Sequence, residues 1–325
     1  MELAKQMALW QKPCTETGSA ETEDRTSQER TAERSARKNR SMDHFMTGIF
    51  YGVGGFFLLF LLALAGYIII SGFAGFYPEL LSFTSAGIGN QFFNTVYLVF
   101  LSLVISVPLG AAAGTYMAEY AKEGKLLQFL RISIESLSSL PSIVVGLFGY
   151  LVFILMTGMK WNLLAGALAV SILSLPSITT TTEDAIRSLP PGYKEGSMAL
   201  GATHWQTIVK VLIPTCTSRI MTGVLLVAGR GFGEAAALLY TAGQSTHINW
   251  NNFNPASPTC PWNPLRPGET LALHIWVMRT EGSLNPHAAQ IANFSSAILV
   301  ILVLAFSLWV RILARQQEEK SGGAR

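Results

Sequence analysis

The sequence predicts an all-α, polytopic membrane protein with six transmembrane helices and both termini on the cytoplasmic side. Composition is the first observation. Half of the 325 residues are hydrophobic and 13% are charged, where a soluble domain carries about 25% charged residues. Segment length is the second. Crossing the hydrocarbon core takes roughly 20 apolar residues as a helix, and six segments reach that length: Gly48–Ser71, Phe92–Tyr116, Ile134–Met156, Leu163–Thr181, Thr215–Thr241 and Ala288–Ile312. Charge asymmetry is the third. Nineteen Lys and Arg residues lie in the two tails and in the second-to-third and fourth-to-fifth connections, whereas the other connections hold only Lys160, Arg266 and Arg279. Cytoplasmic segments are the basic ones, which orients the chain.

Residues 1–44 are polar, with clustered Thr, Glu, Ser and Arg, and read as a solvated, disordered cytoplasmic tail. Arg25–Arg40 also has the spacing of a charged helix, with Glu33 four residues before Arg37, and such a tail can touch lipid headgroups. The transmembrane domain occupies residues 45–314. Its first span lies too far into the chain and is too long for a cleaved signal peptide. Gly52, Gly54 and Gly55 mark that span as a peripheral anchor with room for close helix contact. The second span contains Pro108 and the glycines Gly110 and Gly114, which predict a kink or a close-packing point. In the third, Pro141 and Gly146 break regularity at depth, which is tolerated where backbone lines a cavity or packs on protein. The fourth carries Pro176 and the run Thr179–Thr182, whose hydroxyls are expected to bond back to helix carbonyls.

A polar stretch, residues 183–214, then interrupts the apolar sequence on the cytoplasmic side. Pro190 and Pro191 stop any helix arriving from upstream. A short helix is expected over Gly192–Leu200, a turn at Gly201, and a second short helix over Ala202–Ile213 leading to Pro214. Two short helices at a sharp angle at the mouth of a membrane domain form a docking element. The fifth span follows, with Arg230 and Glu234 near its middle. Four residues apart, they would share one helix face. A charge at mid-bilayer costs roughly 2.5–3.5 kcal/mol, so such residues face a partner or water. Gly229, Gly231 and Gly233 flank the pair and imply close backbone approach or a locally opened helix. The loop 242–287 holds Trp250, Trp262 and Trp276 and prolines at 255, 258, 261, 264 and 267, and reads as an ordered extracytoplasmic cap or a contact surface for an external partner. The chain ends in a basic cytoplasmic tail, 315–325.

Several chemistries are missing. No G-x-x-x-x-G-K-[ST] occurs, so ATP is not expected to bind here through a P-loop, and neither HExxH nor GxSxG is present. The five histidines make no ligand spacing, and His204 reads as a surface residue. Cys14, Cys216 and Cys260 fall in three separate regions and imply no disulfide framework. No cofactor, metal site or nucleic-acid contact is expected. A transport component energised by another subunit fits, whereas a non-transporting membrane sensor would need no charge at mid-bilayer.

The docking stretch carries a resemblance. Glu195-Gly196-Ser197-x3-Gly201-x9-Val211-x-Ile213-Pro214 resembles the EAA loop of ABC importer permeases, E-A-A-x3-G-x9-I-x-L-P, with Gly196 and Ser197 in place of the two alanines. LPSIVVGLFG at 140–149, LPSITTTTEDAIRSLP at 175–190 and GRGFGEAAALL at 229–239 are similar to the phosphate importer permeases, A-type subunit, the PstA family. The resemblance spans Phe45 to Ile312 and implies the type I importer architecture. It implies a heterodimer with a C-type permease, two cytoplasmic ATPase subunits that hold ATP and Mg, and an extracytoplasmic phosphate-binding protein. By it, Glu195, Gly196, Ser197, Ala199, Leu200, Gly201 and Pro214 are expected to dock the ATPase. Arg230 and Glu234 are expected on the path of the substrate, with Glu234 holding Arg230. Phosphonate and sulfate remain alternative oxyanions.

Overall fold

The computed structural model describes residues 16–83, 87–245, 247–254, 257–282 and 286–322, with side chains between 42 and 316. The chain divides into two units, Met1–Leu64 and Ala65–Arg325. Helix α1, Glu16–Phe73, runs through both. The tail expected to be disordered is therefore helical from Glu16 onward, because an apolar span already pays the nucleation cost and helix-forming Glu, Arg and Ala extend it. Residues 1–15, with Cys14, lie outside the described residues.

Helix α2 is Gly89–Glu119 and α3 is Lys125–Ser138. Helix α4, Ser142–Gly149, continues as a π-helical stretch to Leu155. The third span predicted over Ile134–Met156 is therefore not a single rod. The axis turns through 97° between α3 and α4. The cause is local: Pro141 takes an extended backbone, φ −61° and ψ 137°, and a proline also drives the residue before it out of the helical region. Helix α5 is Leu163–Arg187, opened by Asn162, whose side chain accepts from the Ala165 N–H. Helix α6 is Gly192–Ala199, α7 His204–Thr207 and α8 Ile213–Phe232. Helix α9 is Ala236–Thr241, α10 Leu271–Thr280 and α11 Ala288–Gly322, so the C-terminal tail prolongs the last span as helix. Among the described residues five helices are long and apolar enough to cross a membrane, or six if the bent α3–α4 pair is one broken span.

Helix α5 is central: 67% of its apolar window is buried, against 28% for α2 and 11% for α11. Leu98 of α2, Leu163, Ala167 and Val170 of α5, Leu238 of α9 and Leu273 of α10 form one core. Val99, Ala228, Phe232 and the flank of α11 form the next. The close-packing alternative holds for α2. A Cβ at Gly114 would fall 2.5 Å from the Thr179 carbonyl oxygen and one at Gly110 would fall 2.8 Å from Ile178 Cβ, so only glycine lets α2 lie this near α5. Thr179, Thr180 and Thr181 do return their hydroxyls to Leu175, Pro176 and Ser177 carbonyls. Thr182 departs from that expectation, its buried hydroxyl having no partner among the described residues.

Candidate functional site

At the docking end, α5 stops at Arg187 and the diproline follows, as its ring geometry requires. Helix α6 buries none of its residues. Glu195, Gly196 and Ala199 are exposed, Ser197 is half-buried, and Leu200 is 91% exposed. Met198, Trp205 and Val209 extend this uncovered apolar surface. Gly201 has φ +87°, the left-handed region that favours glycine, and closes the turn. The second short helix differs from expectation. Thr203 and Gln206 form a capping box around α7, which is a single turn. The chain continues through a π-helical stretch, Ile208–Leu212, straight into α8. Pro214 causes no break: the helix runs through it from the π-helical stretch into α8.

Sequence reasoning missed how this element is held. Glu119, the last residue of α2, presents one carboxylate oxygen to Lys194 Nζ at 2.6 Å and to His204 Nε2 at 2.9 Å. His204, read as a surface residue, thus binds a largely buried carboxylate and packs on Tyr120. Ser197 Oγ lies 3.0 Å from Thr207 Oγ1, joining α6 to α7 through a hydroxyl that the family's alanine would lack. Nearby, the buried Glu183 takes Arg131 at 2.6 Å and Arg187 at 2.9 Å. These residues line or adjoin a cleft of 480 Å³ between α3 and α5. The Glu183–Arg187 spacing of four was legible in the sequence; the contact of Glu119 with Lys194, 75 residues away, was not.

At mid-membrane depth the sequence expectation needs correction. Arg230 and Glu234 do not share a helix face, because α8 ends at Phe232 and the chain opens over Gly233 to Ala235 before α9. Of the two readings of the glycines, the opened helix holds. Gly229 has no neighbour within 4 Å, and Gly233 would meet only the Arg230 carbonyl. Glu234 is buried and its Oε1 accepts the Ala237 N–H at 3.1 Å, so it caps α9 instead of holding Arg230. Arg230 is exposed, and among the described residues no carboxylate lies within ion-pair distance of it. Its neighbour Gly231 faces Val99, ten residues or about 15 Å inside the start of α2. An uncompensated guanidinium stands at that depth only where a partner chain or water covers it.

Trp250 and Trp262, in the 242–287 stretch, pack on α2. Trp250 Nε1 donates to Asn90 Oδ1, and Trp250 and Trp262 enclose Phe93. Arg266 is wholly buried and donates to Asn94 Oδ1 and the Pro261 carbonyl. Burial lowers its pKa to about 10, so it keeps its charge at neutral pH. Arg266→Ala should strip both acceptors of their donor and cost about 3 kcal/mol. A lower unfolding temperature in detergent would register that loss, and an unchanged one would mean the cap is held elsewhere. Cys216 and Cys260 are free and buried, and no metal-binding group of His, Cys, Asp or Glu occurs among the described residues.

Residues 106–321 match the family model for the binding-protein-dependent transport system inner membrane component. The chain is 46% identical to a probable ABC transporter permease protein, YqgI, of Bacillus subtilis over 278 residues, 83% of this chain and 94% of that protein. It is 35% identical to the phosphate transport system permease protein PstA of Xylella fastidiosa over 204 residues, 59% of this chain and 71% of that one. In fold it resembles a chain of a bacterial alginate ABC transporter, with a TM-score of 0.61 at 15% identity over 86% of this chain and 96% of that one. It also resembles one of the MetNI methionine ABC transporter, with a TM-score of 0.53 at 19% identity over 74% and 99%.

Proposed function

The chain belongs to the family of binding-protein-dependent transport system inner membrane components, in its PstA-like branch, and we propose that it is the A-type permease subunit of an ATP-driven importer of inorganic phosphate. The observation that carries this reading is Arg230: an exposed guanidinium near the end of an apolar span, with no carboxylate partner among the described residues. Phosphate is an anion and must cross hydrocarbon; a fixed cation on its path offsets that charge. In this reading Arg230 faces the path between this chain and a C-type permease, and Glu234 shapes the path by fixing the opening between α8 and α9. Helix α6 and its uncovered Leu200 seat on a cytoplasmic ATPase. Two such ATPases hold ATP and Mg, and their closure rocks the permease pair between outward-open and inward-open states. The tails and the 183–214 loop lie in the cytoplasm, and the 242–287 cap faces a phosphate-binding protein outside.

The test is radiolabelled phosphate uptake by proteoliposomes that contain this chain, its partner permease, the ATPase and the binding protein. Uptake should require internal ATP and be suppressed by excess unlabelled phosphate but not by sulfate. ATP hydrolysis without phosphate entry would overturn the substrate and leave the docking reading in place.

A further inference from the structure

Helix α6 buries no residue. It follows α5 through a proline-rich turn, a glycine turn comes after it, and its Tyr193 packs partly buried on the cluster of Ile186, Ile208 and Leu212. Two side chains, Lys194 on α6 and His204 on α7, converge on the same oxygen of Glu119. The Glu119 side chain is 9% exposed, while Lys194 and His204 are 40% and 32% exposed. The carboxylate is thus the buried end of the joint and the two nitrogens its outer ends. Charge-assisted hydrogen bonds of this length are short and directional, and desolvation strengthens them. The Ser197–Thr207 contact prevents α6 and α7 from moving separately. Glu119 is also the last residue of α2, which packs along α5 and, through Val99, against Ala228 and Phe232 just before the opening at Gly233.

We propose that Glu119 is the positioning residue that transmits movement of the docking helices into α2. The proline turn between α5 and α6 is bypassed, and displacement of α6 and α7 pulls the end of α2 directly. A rigid α2 then carries the motion to the level of Arg230. This rests on reading residues 192–214 as the ATPase-docking element.

Glu119→Gln keeps a side chain of the same shape and one acceptor but removes the negative charge that Lys194 and His204 meet. With the reconstituted complex, ATPase co-purification and ATP hydrolysis should stay near wild type, while phosphate taken up per ATP falls about tenfold, a usual size for coupling between sites. Glu119→Asp keeps the charge but draws the carboxylate back from Lys194 and His204 by one methylene and should lower the ratio in the same direction, so the test survives if Glu119→Gln folds poorly. The exchange Glu119→Lys with Lys194→Glu should recover much of the lost ratio, which a merely structural role would not. An unchanged ratio in both variants would overturn the proposal. So would loss of bound ATPase in Glu119→Gln, since Glu119 would then serve docking itself. Failure of the docking reading shows separately, as undiminished ATPase binding by Gly201→Asp. Failure of the substrate reading shows as no phosphate uptake by the wild-type chain.

Discussion

Gly201→Asp is expected to fold and insert normally and to lose its ATPase. The left-handed conformation at φ +87° costs an L-residue about 1–2 kcal/mol, and Asp tolerates it better than most. A Cβ built at Gly201 meets nothing within 4 Å, so the new side chain clashes with no part of its own chain. The added carboxylate lands beside Leu200, in the middle of the uncovered apolar surface. Once docked, it would be desolvated without a partner, at about 3 kcal/mol, which weakens binding roughly a hundredfold. Co-purification of the tagged complex measures this directly. Gly201→Ala is the control: it carries the same backbone strain without the charge and should keep most of the ATPase. Equal retention by Asp and glycine would remove Gly201 from the docking surface.

Arg230→Gln is expected to assemble fully and to abolish uptake. The side chain is exposed, in the last turn of α8, and without a carboxylate partner among the described residues, so its loss breaks no ion pair described in the fold. A neutral amide removes the charge that would meet the anion. About 3 kcal/mol of lost charge-assisted bonding corresponds to roughly a hundredfold slower uptake. Arg230→Lys keeps the charge without the planar fork and should retain part of the rate. Wild-type uptake by Arg230→Gln, with the complex intact, would take Arg230 off the path. Glu234 predicts differently now that its carboxylate is known to cap α9. Glu234→Gln retains an acceptor for the Ala237 N–H and should be mild beside Arg230→Gln.

Much of this was legible in the sequence because it depends on local physics. Span number follows from the run length of apolar residues. The stop after Arg187 follows from two prolines, and the turn at Gly201 from a residue without a side chain. The intramembrane charge was visible at Arg230 itself, since no apolar run hides an arginine. What the sequence could not carry was direction and partnership. A proline says that a helix bends, but how far, 97° between α3 and α4, is read only from the structure. A spacing of four says that Arg230 and Glu234 would meet if the helix held. Three glycines in five residues weakened it, and Glu234 found a backbone N–H on α9 instead. The convergence of Lys194 and His204 on Glu119 joins residues 75 and 85 positions apart. Only the packing of α2 beside α5 brings them within hydrogen-bond range, because a buried carboxylate takes whichever cations the fold delivers to it.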